Sequence, residues 1–192
     1  MKKLWRQTPN LLSGWRLVSF PLLLYFVLAE KQNAFILLLS VNLVTDVLDG
    51  LIARIFKLQT EFGAKLDSIA DLVTYIAAVT GMAKFFPAFL AQHKLELIWL
   101  LLTWLLPYII ALSRFRKIPH LHLYSVKVAG YLQGIFIFVF FNWQVEGILF
   151  WVMWAVSMLA FTEESMMLLR LKTLRPNAKG IYWMMKEKGR IE

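Results

Sequence analysis

An all-α membrane protein with six spanning helices is the fold class this chain predicts, and three observations carry it. Hydrophobic residues fill 59% of the 192 positions and charged residues only 17%, against roughly 45–50% and 25% in soluble domains. The apolar residues gather into six runs, each near the roughly 20 residues that a bilayer crossing needs. The cations collect on alternate connections, as they do in chains that thread a membrane back and forth.

Residues 1–10 form a short basic and aromatic lead (Lys2, Lys3, Trp5, Arg6) suited to the membrane surface. This start does not read as a cleavable signal, because Trp5 to Ser13 is too polar for its apolar region. The first span runs through Ala29 with Pro21 inside it, an interruption that membrane helices tolerate. A polar turn, Glu30 to Asn33, leads to a second span from Ala34 to about Arg54. That span begins as pure hydrocarbon and acquires Asn42, Thr45, Asp46 and Asp49 only in its last third. A loop from Ile55 to Lys65 precedes a third span, from near Asp67 to Phe86. The fourth span, about Leu95 to Leu112, contains Pro107 and leads into a basic loop with Arg114, Arg116, Lys117, His120 and His122. The fifth runs from about Ser125 to Phe141 and the sixth from about Val145 to Leu169. A basic tail follows, reading as a membrane-surface segment, and residues 1–192 form one domain.

Six spans put both ends of the chain on one side. That side receives 18 of the 21 lysines and arginines, leaving Lys31, Lys84 and Lys94 on the other. The positive-inside bias makes the richer side the cytoplasm. The net charge of +9 is thus spread over membrane-flanking loops, and nucleic acid is not the expected partner. With no cysteine, disulfides, thiolate metal sites and cysteine nucleophiles are excluded.

The stretch from Asp46 to Asp71 departs from this apolar background. Aspartates at membrane depth are costly and persist where they face a cavity, a metal or one another. Asp46, Asp49, Gly50 and Ala53 are spaced to share one helix face, and Asp67 and Asp71 share a face of the next helix. Two helices joined by a short loop could turn all four carboxylates toward one point. Their repulsion demands a positive charge between them, and a hard divalent cation is the economical answer. Helix-end aspartates that merely solubilise a hairpin are the bland alternative. The acids lie toward one leaflet, which disfavours a cation transporter, whose site would be expected near the midplane.

The spacing Asp46-x2-Asp49-Gly50-x2-Ala53-Arg54-x8-Gly63-x3-Asp67-x3-Asp71 resembles the signature of the CDP-alcohol phosphotransferases, with every fixed position present. The resemblance implies that Asp46, Asp49, Asp67 and Asp71 ligate Mg²⁺ or Mn²⁺, two ions in all, with Asp71 also taking the proton from the attacking hydroxyl. It implies that Asp49, Gly50, Ala53, Arg54 and Gly63 meet the CDP moiety. The reaction it implies is phosphatidyl transfer from CDP-diacylglycerol to an alcohol, releasing CMP, in phospholipid biosynthesis at the bacterial inner membrane. A non-catalytic lipid-binding relative would be expected to have lost an aspartate, and none is lost.

The opening Pro9-Asn10-Leu11-Leu12-Ser13-x-x-Arg16 is similar to that of bacterial phosphatidylglycerophosphate and cardiolipin synthases, with serine in place of threonine. This implies glycerol 3-phosphate as acceptor, with phosphatidylglycerol, inositol phosphate or an amino alcohol as alternatives. Arg114, Arg116 and Lys127 are the cations suited to an anionic acceptor. Topology and attraction of anionic lipid would also account for them. His120 and His122 read as interfacial side chains. The resemblance is compatible with a homodimer.

Overall fold

The computed structural model describes residues 8–56, 60–116 and 123–171. Residues 1–7 of the N-terminal lead, Lys57, Lys117, His120, His122 and the tail from Lys172 lie outside the described residues. So does the side chain of Arg54. Every regular element is a helix and no strand occurs among the described residues. In chain order these are α1 (Thr8–Leu28), α2 (Gln32–Ile55), α3 (Glu61–Phe85), the short α4 (Pro87–Gln92), α5 (Lys94–Phe115), α6 (Tyr124–Trp143) and α7 (Gly147–Arg170). All but α4 are long and apolar enough to cross a membrane. The chain divides into two compact units, Met1–Gln92 and His93–Glu192.

Prolines and left-handed residues punctuate these helices as backbone chemistry requires. Pro9 sits in the first turn of α1, where a missing N–H costs nothing. Pro21 and Pro107 stay inside continuous helices. Arg116 and Gln144 adopt φ of 52° and 54° just past α5 and α6, and their N–H groups close the last turns onto Leu112 and Phe140. Two boundaries differ from the sequence expectation, and the first is the end of α5, which runs on through Phe115 and so takes Arg114 into its last turn rather than a loop. Second, α3 starts at Glu61, well before Asp67, because Thr60 accepts the Gly63 N–H as its N-cap. Gly63 and Lys65 therefore lie in the first turns of a helix and not in a loop.

In the first unit, α1 packs against both α2 and α3, which touch each other less. Its core joins Leu23 and Val27 to Phe35, Leu39, Ala70, Ala77, Ala78 and Met82. Apart from Met82 these α3 residues are alanines, and small residues let helices approach closely where no hydrophobic force drives them together. Gly81 shows how close: a β-carbon there would lie 2.3 Å from the Phe35 ring. At the end of α1 away from the aspartates, Lys84 bonds Glu30 at 2.7 Å. This contact holds the exposed Glu30 carboxyl below its ordinary range.

In the second unit, α5 and α6 each pack on α7. Aromatic rings fill one end, with Phe136 beside Phe140 and Phe150, each at 5.6 Å, and His93 against Phe150 at 4.2 Å. Ile110, Ala111, Leu123, Met167, Leu168 and Leu171 fill the other end. Polar groups inside pair across helices: Gln133 donates to the buried Ser157 at 2.9 Å, and Ser125 donates to Glu163 at 2.5 Å.

Candidate active site

The four aspartates of the signature converge, and the cation at their centre belongs to the chain itself. Asp46 and Asp49 stand on α2 and Asp67 and Asp71 on α3, each pair one turn apart on a face that meets α1. From α1, Arg16 inserts its guanidinium among them. Nη1 pairs with Asp46 Oδ1 at 2.7 Å and Asp71 Oδ1 at 2.6 Å. Nη2 pairs with Asp67 Oδ1 at 2.5 Å and Asp49 Oδ2 at 3.1 Å. The planar fork of arginine suits such a task, since a lysine offers one point charge.

Depth orders this cluster. The side chains of Arg16 and Asp49 are 1% and 5% exposed, whereas those of Asp46, Asp67 and Asp71 are 40–44% exposed. Arg16 and Asp49 thus form a floor and the other three acids a rim. Ser13, one turn before Arg16, donates to Asp49 Oδ2 at 2.9 Å. Below the floor Asn42 donates to Ser19 at 2.7 Å, and Ser19 donates to the Arg16 carbonyl at 3.0 Å. Two buried atoms in this assembly, Arg16 Nε and Asn42 Oδ1, have no hydrogen-bond partner among the described residues.

The residues expected to meet a nucleotide occupy the neighbouring turns. Gly50, Ala53 and Arg54 continue α2 beyond Asp49. Gly63 faces α1, where a β-carbon would lie 2.6 Å from Asn10 Oδ1 and 3.0 Å from Thr60 Oγ1. Asn10, Ser13 and Arg16 therefore form one row along α1, reaching Gly63, Asp49 and all four carboxylates in turn. From sequence this row counted only as an opening pattern. The available signal was a lone arginine inside an apolar run, which needs a buried counter-charge to persist.

Arg114, Arg116 and Lys127 belong to the second unit. Arg114 donates to the Leu169 carbonyl at the end of α7. Arg116 is the left-handed residue that ends α5, and Lys127 lies over the Tyr124 ring at 5.9 Å. All three are exposed.

The donor set fits a hard divalent ion. Asp46, Asp49 and Asp67 each present an oxygen within 4.8 Å of the other two, with no sulfur or imidazole among them. Asp71 stands beside this triad, linked to it through Arg16. Long apolar helices that gather four carboxylates at one end define a polytopic membrane protein with an acidic centre. The particular family follows from comparison with known proteins. Residues 6–162 match the CDP-alcohol phosphatidyltransferase family, and the chain belongs to it. Members of this family are generally divalent-metal dependent. Among curated proteins, the chain is 45% identical over 65 residues to the CDP-diacylglycerol--glycerol-3-phosphate 3-phosphatidyltransferase of Aquifex aeolicus, covering 34% of this chain and 36% of that protein. It is 36% identical over 80 residues to the enzyme of the same name from Cereibacter sphaeroides, covering 38% and 36%. It is 39% identical over 74 residues to that of Haemophilus influenzae, covering 37% and 40%. The alignments thus span well under half the length of each relative. No solved structure matches the chain.

Proposed function

We propose that this protein transfers a phosphatidyl group from CDP-diacylglycerol to glycerol 3-phosphate, releasing CMP, as a step of phospholipid biosynthesis. The observation that carries the reaction class is the convergence of Asp46, Asp49, Asp67 and Asp71 in a chain of this family. The activity for which the three relatives are named supports the acceptor.

Asp46, Asp49, Asp67 and Asp71 would hold Mg²⁺ or Mn²⁺, two ions in this reading. Such ions neutralise a diphosphate and the charge that develops on the leaving group. Asp49 forms the floor of the nucleotide site, while Gly50, Ala53 and Gly63 keep bulk away from the approaching CDP and Arg54 adds a cation. Asp71, on the rim, accepts the proton of the acceptor hydroxyl as it attacks the lipid-side phosphorus. Arg114, Arg116 and Lys127 are the proposed ligands of the acceptor phosphate. In Arg114 this role competes with its bond to Leu169. The protein would sit in the inner membrane with its ends and this site toward the cytoplasm. Its partners are the two substrates, the surrounding lipid and a second copy of the chain.

The test is CMP release by purified protein given CDP-diacylglycerol and Mg²⁺, with acceptors offered singly. CMP with glycerol 3-phosphate alone supports the whole reading. CMP with another alcohol keeps the chemistry and discards the acceptor, and no CMP with any acceptor rejects both. Asp71→Asn should abolish turnover while leaving the protein inserted in the membrane. Retained turnover would remove Asp71 as base.

A further inference from the structure

Four carboxylates on two neighbouring membrane helices repel one another, and the chain must hold them together before any ion arrives. Arg16 contributes the compensating charge. It is 1% exposed, and its two terminal nitrogens pair with all four acids at 2.5–3.1 Å. Three of these acids, Asp46, Asp49 and Asp67, also compose the cluster able to hold an ion. An ion and the guanidinium therefore draw on the same carboxylates, and both cannot have them in full. The fit of Arg16 is also incomplete, because its Nε is buried without a partner. A purely structural ion pair would be expected to satisfy that donor too.

We propose that Arg16 is the resident counter-cation of this site. In the metal-free protein it preassembles the four aspartates, and divalent ions load by exchanging with it. Once exchanged, the guanidinium remains at the floor of the site with free donors, suited to an oxyanion of the diphosphate substrate. Arg16 acts through the aspartates and is a positioning residue. The inference rests on the proposed function only in taking this cluster as the metal site.

The test measures Mn²⁺ binding by electron paramagnetic resonance, and thermal unfolding with EDTA or Mn²⁺, for the wild type, Arg16→Gln and Arg16→Lys in detergent. Arg16→Gln should unfold at lower temperature in EDTA, since the repulsion is no longer screened. It should also bind Mn²⁺ more tightly, on the order of tenfold, because the competing positive charge is gone. Its gain in unfolding temperature on adding Mn²⁺ should exceed that of the wild type. Arg16→Lys keeps the charge but loses the fork, and should fall between the two in both measurements. A residue with only a structural role would not tighten metal binding when removed. Equal or weaker Mn²⁺ binding by folded Arg16→Gln overturns the proposal. Should Arg16→Gln fail to fold, the same outcome in Arg16→Lys overturns it. CMP release is assayed separately. A wild type inactive toward every acceptor, whose variants still show the tightening, would sink the proposed reaction and leave the exchange standing.

Discussion

Ser13 shows how much of this site depends on single side chains of α1. Its hydroxyl donates to Asp49, the most buried of the four acids. A hydrogen bond to a charged group contributes about 1.5–3 kcal/mol. Ser13→Ala should therefore lower stability by roughly that amount, read by thermal unfolding in EDTA. Ser13→Thr keeps the hydroxyl and should behave much like the wild type. If alanine changes nothing, Arg16 alone holds Asp49. Four of the acids were legible in the sequence because a carboxylate inside an apolar run has few other reasons to be there. The charge among them was legible as a need, yet its source was not. Arg16 belongs to a different span, and nothing in the spacing of α2 and α3 points to α1. Gly63 reads in a similar way. Its place in the signature suggested room for a nucleotide, and the structure adds a neighbour, Asn10, that a larger residue would strike.

Among the helices, the lengths were readable because apolar runs of membrane-crossing length admit little else. Boundaries set by hydrogen bonds were harder. Thr60 extends α3 upstream of its apolar run by capping Gly63, and hydropathy carries no trace of that bond. Packing was harder still. Gly81 looks like any glycine in a membrane helix until Phe35, 0% exposed, is found against it. Gly81→Ala should overpack this contact and destabilise the first unit by about 1–3 kcal/mol. Gly14 provides the contrast, since a β-carbon there meets nothing within 4 Å. Gly14→Ala should be neutral or stabilise α1 by up to about 1 kcal/mol. Thermal unfolding of both variants decides whether the small-residue face of α3 sets the helix spacing. Equal stability of the two would mean that the helices shift to make room and that Gly81 is not a spacing device.

For the molecule as a whole, the proposed reaction turns on which way it faces, because a nucleotide-linked donor can react only where the nucleotide is. The four acids lie where α2 ends and α3 begins, so the α2–α3 connection, α1's start and the aspartates share a side of the membrane if the six helices cross it in turn. The charge bias read from the sequence predicts that this side is the cytoplasm. The chain contains no cysteine, so single cysteines report position without background. Lys31→Cys and Val145→Cys, in turns opposite the aspartates, should react with a membrane-impermeant maleimide in intact cells. Lys65→Cys and Tyr124→Cys should react only after permeabilisation. The reverse pattern would turn the aspartates away from the cytoplasm and remove the CDP-linked donor from reach. A mixed pattern, with Lys31→Cys and Lys65→Cys labelled alike, would mean that α2 does not cross the membrane. The signature would then have to work as an interfacial hairpin.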